Sequence, residues 1–142
     1  PIPVKTQKAN GSLKGIANHL SVAYLLDDRL LFLGDLFPKE IDIVINDLLK
    51  RKLSNIEVLI CPHHGTNNHW SDILRELSFD ISIASIGERL ITNFEPLYNS
   101  ISKISLTTFT NGRISIMRNA NFLFHFKTGI GGKGLFKTIL IP

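Results

Sequence analysis

Two short polar clusters in this sequence carry side chains suited to chemistry, and each follows an apolar run. Gly34-Asp35 comes directly after Leu30 to Leu33, and His63-His64-Gly65 comes after Ile56 to Ile60 and the pair Cys61-Pro62. In layered α/β sheets, ligands gather beyond the carboxyl ends of strands. A carboxylate and an imidazole pair 28 positions apart therefore converge if those two runs are neighbouring strands. Neutral imidazole nitrogen and carboxylate oxygen are donors that zinc, manganese or iron accept in hydrolytic sites. A carboxylate can also bridge two ions, and a two-ion site stabilises both the entering and the leaving oxygen of a displacement. Taken alone, a Gly-Asp after a strand reads as a turn with a capping carboxylate. The joint appearance of the two clusters, each at a strand end with one helix between them, is what points to a metal site at Asp35, His63 and His64.

Other candidates are weaker. His19 stands beside Asn18 and reads first as a surface or hairpin-edge histidine, and His69 follows Asn67-Asn68 in a polar loop and reads as either lining the cleft or facing water, water being preferred. His125, between Phe124 and Phe126, reads as the exposed face of an edge strand. Cys61 is the single cysteine, so an internal disulfide is excluded. With no second thiol at metal-ligand spacing, it reads as a small buried filler. There is no phosphate-binding G-x-x-x-x-G-K-[ST] loop, no G-x-G-x-x-G and no G-x-S-x-G, so nucleotide-cofactor and serine-hydrolase chemistry have no motif behind them.

The elements that must position these residues follow from periodicity. Ser21 to Leu26 and Leu30 to Leu33, split by Asp27-Asp28-Arg29, predict a hairpin ending at Gly34-Asp35. From Pro38, apolar residues at 41, 44, 45, 48 and 49 recur at helical spacing, and Lys50-Arg51-Lys52 suits the negative end of a helix dipole. Ile56 to Ile60 reads as a buried strand. Trp70 to Leu77 reads as a second helix capped by Asn68 or Ser71, and Ile81 to Ile86 as a further strand. Pro96 opens a short helix with Leu97 and Ile101, and Thr110-Asn111-Gly112 predicts a hairpin between strands 104–109 and 113–117. Residues 122–126 add a strand. Alternating strands and helices with hairpins at each side give an α/β layered domain with a mixed sheet. The organisation is a lead-in at 1–17, one domain over 18–126, and a Gly/Lys-rich tail over 127–142.

The whole chain bounds the function. Its 142 residues, 44% hydrophobic and 20% charged, suit one folded domain with a core rather than a disordered segment. No apolar run approaches the roughly 18 residues that span a bilayer, and no signal-peptide core opens the chain. With one cysteine and no oxidising-compartment signal, the default location is cytoplasmic, and a membrane-associated parent is compatible. Pro1 opens the chain and Met117 is the only methionine, so the sequence reads as a fragment or processed product. All carboxylates lie between Asp27 and Glu95, while six Lys or Arg and no carboxylate follow Glu95. Basic ends suit a polyanionic partner such as nucleic acid, although spaced lysines also serve solubility.

The stretches Asn18-His19-Leu20-Ser21, Leu31-Phe32-Leu33-Gly34-Asp35 and Val58-Leu59-Ile60-Cys61-Pro62-His63-His64-Gly65-Thr66 resemble the metallo-β-lactamase superfamily. The likeness covers residues 17–117 and is nearest to the ComEC-like branch of DNA-internalisation proteins. The resemblance implies the C-terminal half of an αβ/βα sandwich holding one or two metal ions, zinc in the first place and manganese or iron otherwise. By that resemblance the centre is expected to act on phosphodiester or nucleic-acid substrates. By the same resemblance Asp35 bridges the metals, one of His63 and His64 is a ligand, and the other orients substrate or donates a proton. Asn18, His19 and Thr66 are possible additional site residues. The family's H-x-H-x-D-H stretch does not occur in this chain, so the missing N-terminal half of the domain is the expected partner and the chain alone is expected to be inactive. Glu95-Pro96 stands where relatives carry His-Pro, and Thr66 where they carry Ser. The competing expectation is a degenerate or truncated member of the fold that serves as a non-catalytic binding or assembly module.

Overall fold

The hairpin expected around Asp27-Asp28 is present in the computed structural model, which describes residues 20–118 together with strands at 124–129 and 137–140. Strand β1 (Tyr24–Leu26) pairs antiparallel with β2 (Leu30–Phe32), Tyr24 opposite Phe32. The turn is closed by the Arg29 N–H donating to the Leu26 carbonyl, with Asp27 and Asp28 both at positive φ. Paired left-handed residues give a tight turn the twist that antiparallel strands need, and aspartate tolerates that conformation better than most.

Helix α1 (Pro38–Lys50) follows, with proline in its first turn and Ile41, Val44, Ile45 and Leu48 buried on one stripe. It carries the chain back so that β3 (Asn55–Ile60) lies parallel to β2, Phe32 opposite Ile60. Strand β4 (Ser78–Ala84) and β5 (Ser102–Thr107) extend the parallel run, giving a mixed five-stranded sheet in the order β1-β2-β3-β4-β5. The chain is thus α/β, as its pattern predicts. Both faces of the central strands are covered. Leu31, Leu33, Leu59 and Phe79 pack in one cluster with the α1 stripe, and Val58, Ile81, Ile83 and Leu106 form another, joined by Ile114 and Ile116. Burial on two faces explains why β3 and β4 read as apolar runs rather than alternating ones. Val22, Tyr24, Leu26 and Phe32 are the exception, an apolar strip left exposed on the hairpin.

Three expectations are corrected. Residues 70–77 do not form an α-helix. They hold one short 3₁₀ turn, Asp72–Glu76, preceded by another at Asn67–His69, and Ser71 gives the Asp72–Glu76 turn no side-chain cap because its hydroxyl bonds the Asp42 carboxylate on α1. An uncapped segment of eight residues is too short to hold an α-helix by local forces. The Asn111-Gly112 turn does not join two paired strands. After β5, Thr107 caps one helical turn, α2 (Thr108–Asn111), the Asn111 side chain accepts from the Thr107 N–H, and Gly112 at positive φ sends the chain into a different sheet. That sheet is antiparallel, β6 (Arg113–Arg118), β7 (Phe124–Gly129) and β8 (Lys137–Leu140) in that order. β7 is therefore the middle strand, so His125 does not lie on an edge; its side chain lies outside the described residues. β8 falls within the segment expected as a tail. Among the described residues no helix is long and apolar enough to cross a membrane.

Candidate functional site

Because Phe32 and Ile60 sit side by side at the ends of parallel neighbours, the residues three positions further on, Asp35 and His63, emerge at the same edge of the sheet. The backbone ties the two clusters together: the His63 N–H donates to the Gly34 carbonyl at 2.9 Å. Gly34 adopts a φ of +57°, and a Cβ there would lie 2.3 Å from the Ser21 hydroxyl oxygen. That oxygen is in use, since it accepts the Asp35 N–H at 2.8 Å. Ser21 thus fixes the Gly-Asp turn, while the Asp35 side chain stays exposed.

The His-His-Gly turn is backbone-strained. His63 (φ 44°, ψ 52°), His64 (φ 65°, ψ 11°) and Gly65 (φ +78°) follow one another in the left-handed region, where a β-carbon crowds the following carbonyl. Non-glycine residues held there cost about 1–3 kcal/mol each and concentrate at functional sites. Several contacts enforce the turn. Cys61 N–H bonds the Ile83 carbonyl on β4, Thr66 Oγ1 donates to the His63 carbonyl, and Glu95 N–H bonds the Gly65 carbonyl. Thr66, offered as a possible additional site residue, is buried and tied back into this turn. Glu95-Pro96 does abut the His-His-Gly turn, but the Glu95 carboxylate accepts from the Leu97 N–H. Cys61 is buried, and burial pushes its thiol well above the usual range, which leaves it inert filler as expected.

His69 is the residue for which the sequence favours the wrong one of its two readings. Rather than facing water, it is 3% exposed, stacked on Phe37 with ring centroids 4.7 Å apart. Its Nδ1 lies 2.8 Å from the Leu36 carbonyl and its Nε2 is in hydrogen-bonding contact with Nδ1 of His63. Burial lowers the pKa of His69, and the neighbouring His63 lowers it further, against opposing pulls from the Leu36 carbonyl and Asp35. His64 is exposed, its ring 5.7 Å from that of His63. The signal available in sequence was the position of His69, six residues past His63 in a short polar loop that has to fold back over the same strand end.

Asp35 and the histidines are the right donor types for a hydrolytic metal, yet among the described residues no group of three or more His, Cys, Asp or Glu side chains is placed to hold an ion. Asn18 and His19 lie outside the described residues. A cavity of about 560 Å³ opens at the opposite, amino-terminal ends of β3, β4 and β5. The Glu57 and Asp80 carboxylates there pair with Arg29 and Lys103, so it gathers no side chains poised for chemistry. No protein-family model matches the chain, and neither a curated protein nor a solved structure is found similar to it.

Proposed function

We propose that this chain is the C-terminal half of a metallo-β-lactamase-fold hydrolase of the ComEC-like kind, acting on phosphodiester or nucleic-acid substrates together with the residues that complete the domain. The observation that carries the reading is the bond from His63 N–H to the Gly34 carbonyl, by which the two clusters carrying the resemblance meet at one edge of the sheet. The left-handed His63-His64 pair supports it too, because strain of that kind persists where it serves a site.

In this reading Asp35 and His63 hold the metal, zinc by preference, and the residues that complete the domain supply the other ligands. A bound ion would supply Lewis acidity, making water a nucleophile near neutral pH and screening charge on the substrate. The chain's own work is positional. Ser21 holds the turn that presents the Asp35 carboxylate, the strained turn presents His63, and His64, exposed beside it, hydrogen-bonds substrate or gives a proton to the leaving oxygen.

A second reading, a non-catalytic module on the same scaffold, draws on the His63–His69 contact, which commits one nitrogen of each ring to the other. Hydrolysis of bis(p-nitrophenyl) phosphate by the full-length protein, with zinc or manganese added, separates the two. The hydrolase reading expects turnover that falls about a hundredfold or more in Asp35→Asn, as for loss of a group that stabilises charge in the transition state. Turnover that is absent, or unchanged in the variant, favours the module.

A further inference from the structure

His69 is bonded at both ring nitrogens, and the chemistry of its partners fixes where the protons are. The Leu36 carbonyl can only accept, so Nδ1 of His69 carries a proton. In the neutral ring its Nε2 is then a bare acceptor, and the Nδ1 of His63 that meets it must be the donor. The alternative, an imidazolium at position 69, would bury a charge in a pocket closed by the Phe37 ring.

We propose that His69 is a positioning residue. The relay from Leu36 carbonyl through His69 to His63 locks His63 as its Nδ1–H tautomer, so that Nε2 is the nitrogen presented to a metal ion. The use of Nε2 rests on the metal reading above; the tautomer does not. Among the described residues, the contacts that enforce the His-His-Gly turn are made by backbone groups and by the Thr66 hydroxyl, which do not discriminate the two nitrogens of His63. The relay also selects His63 over His64, whose ring is exposed and turned 70° from that of its neighbour.

The test is long-range ¹H–¹⁵N correlation of histidine-labelled, metal-free protein at pH 8. The expected spectrum shows Nδ1 protonated and Nε2 bare in both His63 and His69. In His69→Phe, which keeps an aromatic ring against Phe37 but removes the acceptor, His63 is expected to change to the Nε2–H form. In His69→Gln, whose amide can donate to Leu36 and accept from His63, the Nδ1–H form is expected to persist in part. Zinc affinity is expected to fall 10–100-fold in His69→Phe, the usual effect of losing a group that orients a metal ligand. An Nε2–H signal for His63 in the unmodified protein, or an unchanged tautomer in His69→Phe, overturns the relay. If His69→Phe fails to fold, the unmodified protein and His69→Gln still decide. Correct tautomers with no zinc binding refute the metal reading and leave the relay standing. Zinc binding with the wrong tautomer does the reverse.

Discussion

Two adjacent histidines in the left-handed region would be removed by any selection for stability alone, since glycine adopts that backbone without the β-carbon clash. His64→Gly is therefore expected to raise the denaturant midpoint, by roughly 1 kcal/mol of stability, because the exposed His64 ring loses little packing on removal. Gly65 shows the opposite side of the same geometry. A Cβ there would sit 2.8 Å from that of Ala84 and 3.3 Å from the Phe94 ring, at a φ of +78°. Gly65→Ala is expected to cost about 2 kcal/mol or more in equilibrium unfolding, clash and left-handed strain together. At this scale the sequence located two polar clusters at the ends of strands, and the structure brings their backbones together. The sequence favoured the solvated reading of His69, because the seven polar and aromatic residues from Thr66 to Asp72 show no period and look solvated unless the fold of the loop is known. The bond that buries His69 reaches back to Leu36, 33 positions away.

The elements were legible where the period was long and illegible where a local signal competed with a tertiary one. α1 holds five apolar positions at helical spacing, and four of them are buried on the face that meets the sheet. The Asn-Gly pair at 111–112 illustrates the converse. It is a hairpin signal, yet Thr107 Oγ1 caps a helical turn and Asn111 Oδ1 bonds the Thr107 N–H and the Thr110 hydroxyl, so the side chain that would have made a turn closes a helix instead. Asn111→Ala removes an acceptor from the partly buried Thr107 N–H and is expected to lower stability by about 1–2 kcal/mol in urea unfolding. An Asn111→Ala change that leaves the unfolding midpoint unmoved would mean the turn does not depend on that side chain.

Across the whole molecule, the α/β sheet brings 29 residues of sequence separation down to one hydrogen bond, from His63 N–H to the Gly34 carbonyl. It also couples the site to pH through His69. Its folded pKa lies below the ordinary value of 6.5, so between those two values the unfolded chain binds the proton that the folded chain refuses. Stability is then full above about pH 6.5 and falls as pH drops below that value toward the folded pKa. The urea midpoint is expected to be lower at pH 5.5 than at pH 7.5, and His69→Phe is expected to flatten that slope; equal slopes would remove His69 as its source. The alternation of strands with a helix made the α/β class readable from sequence, while the placement of β6 to β8 in a separate sheet was not. Strand pairing there depends on contacts across the chain that no local period encodes.

Bound metal tests the proposal that Asp35 and His63 hold a metal ion without reference to any substrate. The full-length protein is dialysed against zinc, freed of unbound ion, and its metal content read by plasma mass spectrometry beside Asp35→Asn and His63→Ala. The account expects at least one zinc per chain in the unmodified protein and retention about tenfold lower or less in each variant, with circular dichroism showing both folded. Equal zinc retention in folded Asp35→Asn, or none in any of the three, would contradict it.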